Sequence, residues 1–254
     1  MLEDPALAET YCVRGVAPEA LILGNIGLAQ TLAMTPERVQ SLMDDVSADG
    51  ICLHLNTAME MFQDDGDILS DDADAAIRRM AEALGERLLV KETGCGISRE
   101  TAVRLAELGV RTLDVAGAGG TSWVRVENLR RGGAPTGMEE FEEWGIPTAA
   151  SLLELDGVAV KSIASGGLRS GLDLAKAIVL GAEAGSAALP ILRAYYDGGA
   201  EAVGQWIDSV IDGLRAAMVL TGCRDLAILR AAPCIASGPL LEWVAQRAPE
   251  EEPL

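Results

Sequence analysis

The sequence predicts an α/β fold whose strands form a parallel sheet. Three observations carry this. Six short apolar runs recur along the 254 residues, each ending in small or polar residues. Helical patterns with start and stop signals lie between them, as βαβ units require. Glycine is abundant at 28 residues while aromatics make up 4%, which suits tight βα turns better than an aromatic-rich sandwich.

The elements follow in order. "PALAETYCVRGVAP" reads as a helix and a turn, so no strand precedes the first run, "ALILGNIG". "TPERVQSLMDDV" opens with Thr35 as cap and Pro36 at the first helical position. The second run is "GICLHLN". The helix "DADAAIRRMAEALG", with a glycine stop, leads to the third, "RLLVKETGCG". "SRETAVRLAELG" starts at Ser98, stops at Gly109 and precedes the fourth run, "RTLDVAGAGG". "MEEFEEWGIPTAASLLEL" reads as an acidic excursion plus the helix of that unit. The fifth run, "VKSIASGG", is followed by "SGLDLAKAIVLG", which stops at Gly181, and the sixth run is "AGSAALPIL". "WIDSVIDGLRAAMVLTG" and "DLAILRAAP" read as closing helices. One domain is expected over residues 1–247, with a disordered acidic tail at 248–254.

Six units leave two architectures open. A closed (β/α)8 barrel needs eight. Two further βα units would take about 60 to 100 residues, at roughly 30 or more each. The sheet is therefore either open and doubly wound or a barrel without its first two units.

Composition excludes several classes. The net charge is −19, so nucleic acid and anionic membranes are poor partners. Lys91, Lys161 and Lys176 are the only lysines, and five scattered cysteines form no C-x-x-C. Neither a zinc site nor a disulfide framework is indicated, and reduced cytoplasmic thiols are the plain expectation. The acidic N-terminus lacks the apolar core of a signal peptide, and no apolar run reaches membrane-spanning length.

Both architectures gather functional groups at the C-terminal ends of the strands. Those ends offer Asn25, His54 with Asn56, Lys91 with Glu92, Asp114 before "GAGGT", "SGGLRSG", and the backbone around Ala188. The "SGGLRSG" turn before a helix suits a phosphate, with Arg169 nearby and Ser170 at a cap position; a turn using glycine for geometry alone is the plainer alternative. Alternation puts Lys91 and Glu92 on opposite faces, so Lys91 faces a cofactor or another acid. Glu60 can bind a hard cation while His54 and Asn56 hold substrate oxygens. A satisfied core histidine, and a solvated acidic loop over Glu60, Asp64 and Asp65, are the alternatives; for the two aspartates the loop is preferred. "DVAGAGGTSWVRVE" sets small residues, Thr121 and Trp123 where a flat ring could approach, or is simply a flexible glycine loop.

Taken together, "LILGNIGLAQ", "HLNTAMEMFQDDGD", "VKETGCGISRETAVRLAELGV", "DVAGAGGTSWVRVE", "EWGIPTAASLLE", "IASGGLRSGLDLAKAIVLGA" and "AMVLTGCRDLAILRAAP" resemble the FMN-dependent type 2 isopentenyl diphosphate isomerases. The resemblance implies a (β/α)8 TIM-barrel type with about six of its units in this chain. It implies that Asn25, Lys91 and Thr121 contact FMN. Its phosphate would be held by Gly166, Gly167, Leu168 and Arg169 with the backbone at Ala188 and Leu189. Glu60 would bind Mg²⁺ bridging to the substrate diphosphate, and His54 and Asn56 would line the substrate pocket. The implied reaction moves a double bond between isopentenyl and dimethylallyl diphosphate through reduced FMN, with NAD(P)H as reductant, in a cytoplasmic homo-oligomer. The sequence departs from the pattern twice. Met59 stands where the family has Gln, and thioether sulfur cannot donate a hydrogen bond. The family's N-terminal part, with two strands and basic residues for the diphosphate, has no counterpart; Arg125 and Arg169 remain as candidate diphosphate partners. The alternatives are an FMN-dependent relative acting on another isoprenoid, and a catalytically inactive truncated homologue or interaction partner.

Overall fold

A computed structural model describes residues 7–62, 72–131, 137 and 139–247. The proposed tail at 248–254, and Asp64 and Asp65, lie outside the described residues. A short helix α1 (Ala8–Tyr11) precedes β1 (Leu23–Gly27), α2 (Leu28–Leu32) and α3 (Pro36–Asp45). There follow β2 (Gly50–His54), α4 (Thr57–Phe62), α5 (Ala73–Leu84), β3 (Leu88–Lys91) and α6 (Arg99–Glu107). Then come β4 (Thr112–Asp114), α7 (Trp123–Arg130), α8 (Thr148–Glu154), β5 (Lys161–Ala164) and α9 (Gly171–Val179). The chain continues through β6 (Ala184–Gly185), α10 (Leu189–Leu220), α11 (Leu226–Arg230) and α12 (Pro239–Arg247).

All six apolar runs therefore contain a strand, and the strands pair in parallel in the order β1-β2-β3-β4-β5-β6. This is a partial (β/α) barrel. Alternation sorts the side chains. Ile51, Leu53, Val90 and Leu113 are buried against Val39, Met43, Ile77, Met80 and Leu105 of the surrounding helices in one apolar core. A second, smaller cluster joins α9 to the C-terminal segment through Ala175, Ile178, Ala217, Cys223 and Leu229.

The expected caps form. Thr35, Ser98 and Ser170 each accept a bond from the backbone three residues on, satisfying a donor that the first helical turn leaves unpaired. Two elements differ from expectation. The glycine stretch after β4 is a loop, but a helix follows it at once: Ser122 caps α7 by accepting from the Arg125 amide. The closing helix begins directly after β6 and breaks at Gly198 and Gly199, where φ is +64° at Gly199. The two glycines interrupt the helix, and a second helical stretch begins beyond the kink.

The last helix ties down the outside of the barrel. Glu154, 4% exposed at the end of α8, accepts bonds from Trp243 Nε1 at 2.7 Å, Arg247 Nη2 at 2.7 Å and the Arg99 amide at 2.9 Å. Burial alone would raise the Glu154 carboxyl, but the Arg247 and Trp243 bonds outweigh it and hold it below the usual range. Among the described residues no helix is long and apolar enough to cross a membrane.

Candidate active site at the strand C-termini

Strand register assembles the site. Gly27 lies opposite His54, His54 opposite Lys91, Lys91 opposite Asp114, Asp114 opposite Ile163, and Ile163 opposite Ala184. All six strands thus meet at one level, where β2, β3 and β4 bring the polar His54, Lys91 and Asp114 side by side. Cys52, Leu89, Lys91, Asp114 and Ile163 line a cavity of about 940 Å³ with the turns after β4, β5 and β6.

Asn25 Nδ2 donates to His54 Nδ1 at 3.1 Å, which assigns the imidazole proton to Nε2. Burial lowers the pKa of His54, and the neighbouring Lys91 charge lowers it further against the opposing pull of Glu60. The imidazole is accordingly neutral at pH 7. Beside it, Asn56 is 5% exposed and adopts φ +53°, a conformation asparagine tolerates better than most residues. Its amide nitrogen donates to Glu60 Oε1 at 3.0 Å, and its amide oxygen accepts from Thr93 Oγ1 at 2.7 Å.

Lys91 and Glu92 point apart, as alternation requires. Among the described residues, Lys91 Nζ donates to the Glu92 carbonyl, at 3.3 Å. The Glu92 carboxylate instead accepts from the amides of Thr93 at 2.8 Å and Cys95 at 3.2 Å. Burial raises the pKa of both Glu92 and Asp114, and in each case these bonds and the Lys91 charge oppose the rise. Asp114 accepts from Ser165 Oγ and from the Ala116 amide.

The glycine turns after β4 and β5 are built against each other. A Cβ on Gly166, at φ +95°, would overlap the Gly117 carbonyl. One on Gly167, at φ +91°, would lie 2.6 Å from the Gly119 oxygen. Arg169 clamps the pair, donating to Gly167 O at 2.8 Å and Gly119 O at 2.9 Å. The glycine loop is therefore a packed surface. This turn leads into α9, and Ala188 and Leu189 at the start of α10 line the same cavity; a helix N-terminus favours an anion.

Lys91, Thr121, Gly166, Gly167, Leu168, Arg169, Ala188 and Leu189 all line the one cavity. Asn25 on β1, His54 on β2, Asn56 in the turn that follows and Glu60 on α4 stand outside the lining. Met59 lies within α4. Arg125 is mostly exposed, 3.8 Å from Glu142, beside a separate 270 Å³ pocket. Sequence reasoning missed Thr93, Ser165 and Arg193. Thr93 and Ser165 sit inside quoted motifs, so their nearness to strand ends was the available signal. Arg193 follows one turn after the start of α10 and also lines the cavity, a position visible only once that helix is known.

The chain is similar to known proteins in sequence and in fold. The family described as FMN-dependent dehydrogenase matches residues 27–235. An isopentenyl-diphosphate delta-isomerase of Halobacterium salinarum is 43% identical over 98% of this chain and 71% of its own length. The protein of that name from Methanothermobacter thermautotrophicus is 42% identical over 97% of this chain and 69% of its own. Among solved structures, inosine 5'-monophosphate dehydrogenase from Legionella pneumophila superposes with a TM-score of 0.57 at 17% identity, covering 88% of this chain and 74% of that one. A mandelate oxidase variant gives 0.52 at 19% identity, covering 82% and 61%. These last two likenesses concern the fold.

Proposed function

The chain belongs to the isopentenyl-diphosphate delta-isomerase family, on the fold of the FMN-dependent dehydrogenases, and from that premise we propose that it interconverts isopentenyl and dimethylallyl diphosphate. One observation carries the reading: a single cavity joins the Lys91 ammonium to a glycine cradle at two helix N-termini. That combination fits FMN, with a phosphate at one end and a ring system beside a cation at the other.

In this reading Gly166, Gly167, Leu168 and Arg169, with the backbone at Ala188 and Leu189, hold the FMN phosphate. Arg169 serves by stiffening the cradle, since its guanidinium already binds two turn carbonyls. Thr121 and Asn25 contact the flavin, and Lys91 stabilises negative charge on it. Reduced flavin, once bound, would supply an electron-rich ring able to stabilise positive charge on the substrate. NAD(P)H serves as the reductant. The apolar walls, Leu89 and Ile163 among them, keep water from that charge.

Glu60 fits a Mg²⁺ shared with the substrate. Mg²⁺ is commonly held by one or two carboxylates plus substrate phosphates, and the described residues form no cluster of three or more metal-binding side chains. Asn56 and neutral His54 line the substrate, with the His54 proton on Nε2. The same reading makes the protein a cytoplasmic homo-oligomer. Met59 favours a second reading, an FMN-dependent relative whose isoprenoid substrate needs no amide at that position. The test is incubation with isopentenyl diphosphate, Mg²⁺ and chemically reduced FMN. Dimethylallyl diphosphate is expected. Unchanged substrate with flavin demonstrably bound and reduced refutes isomerisation and favours the relative; Met59→Gln then tests whether this side chain is the cause.

A further inference from the structure

We propose that Thr93 is a positioning residue that sets the Asn56 amide, and through it Glu60, for cation binding. The inference rests on the reading of Glu60 as the cation-binding carboxylate. A side-chain amide has nearly the same shape with oxygen and nitrogen exchanged, so only its partners decide its orientation. Asn56 has one partner at each end. The Thr93 hydroxyl donates to Oδ1 at 2.7 Å, and Nδ2 donates to Glu60 Oε1 at 3.0 Å. Reversing the amide would set its oxygen against a carboxylate oxygen.

Thr93 is itself fixed. Its amide donates to the buried Glu92 carboxylate at 2.8 Å, which also takes the Cys95 amide and curls residues 92–95 over the end of β3. The far side of that loop is held by Ile146, whose amide donates to Cys95 O at 2.8 Å, and by Ser151, bonded to both the amide and the carbonyl of Ile97. The hydroxyl therefore reaches Asn56 from a rigid mount on a different strand. Outer partners of this kind hold a ligand at its working angle, and their loss typically weakens metal affinity by about 10- to 100-fold.

The experiment compares the full chain with Thr93→Val, which keeps the shape and removes the hydroxyl, and Thr93→Ser, which keeps the hydroxyl. The chain has three asparagines, Asn25, Asn56 and Asn128, so ¹⁵N-asparagine labelling gives three side-chain amide pairs. The valine variant should shift the Asn56 pair and speed its exchange, leave the Asn128 pair in place, and weaken Mn²⁺ binding in the presence of inorganic pyrophosphate by about tenfold. The serine variant should restore both. An Asn56 signal and a Mn²⁺ affinity unchanged by valine, or a serine variant that behaves like valine, overturns the proposal. If the unaltered protein takes up no Mn²⁺, the metal assignment of Glu60 falls instead, and the Asn56 signals alone decide the role of Thr93.

Discussion

Gly167→Ala should damage flavin binding through the turn it stands in. Two costs add. At φ +91° an L-residue is strained, by about 1–3 kcal/mol. The new Cβ would lie 2.6 Å from Gly119 O, well inside normal contact, and that oxygen cannot simply retreat because Arg169 Nη2 holds it at 2.9 Å. A few tenths to one ångström of displacement in a packed turn costs about another 1–3 kcal/mol. The sum, about 2–6 kcal/mol, divides between stability and the cradle's geometry. If half falls on binding, FMN affinity drops by about 5- to 150-fold at 1.4 kcal/mol per decade. Gly181→Ala is the matched control. Its φ is +101°, but nothing lies within 4 Å of its Cβ, and it stands at the end of α9 away from the cavity. It should lower the melting temperature while leaving FMN affinity unchanged. Titration by quenching of flavin fluorescence, with a melt on each variant, reads both quantities. Gly167→Ala with FMN affinity within a factor of three of the parent would refute the argument that the two turns form one rigid cradle.

Glu154→Gln should lower stability by about 2 kcal/mol, because the charged bonds to Arg247 are reduced to neutral ones and Arg247 is partly solvated. At this chain length that is a melting shift of about 4–8 °C, and Arg247→Ala should then add little; full additivity of the pair would count against a shared latch. Removing His54 should change the acid limb of stability. Its folded pKa is depressed, so the unfolded chain binds the proton first as pH falls below about 6.5, and stability is lost from there downward through the folded value. The difference in melting temperature between the parent and His54→Gln should therefore narrow or reverse between pH 6.5 and 5; a pH-independent difference contradicts the assignment. Arg193→Ala should weaken FMN by about 3- to 10-fold and flatten the salt dependence of binding, since Arg193 is exposed and worth less than a buried cation. An unaltered salt slope would remove Arg193 from the phosphate site.

Much of this was legible because each strand carries its own punctuation. "GICLHLN" ends in polar residues beyond its apolar segment, so β2 and the position of His54 follow from pattern alone. Thr35, Ser98 and Ser170 mark helix starts by the chemistry of an oxygen that accepts a backbone amide. Three things resisted. The helix α7 follows a glycine-rich stretch and lacks a clear apolar stripe, so local sequence resembles loop. The segment α10 is two helical stretches meeting at a kink at Gly198 and Gly199, and the stretch before the kink is not read from the sequence as a helix. The partners of Asn56 and Arg169 are set by which loops meet over the barrel mouth, and long-range meetings leave no periodic trace. Arg169 illustrates this: a cation beside a phosphate turn reads as an anion ligand, yet its guanidinium donates to carbonyls of two different loops.

The latch on Glu154 has a consequence for how the chain is made. Its carboxylate belongs to α8, but its strongest partner, Arg247, comes 93 residues later. At about 5–20 residues per second of synthesis, that acid waits some 5 to 20 s for its counter-ion. During that interval α8 either leaves the carboxylate in water or takes up a proton in order to pack. The outer face of α8, between β4 and β5, is thus covered late by a residue near the end of the described chain, and a chain cut short before Trp243 would leave the Glu154 carboxylate without Trp243 and Arg247.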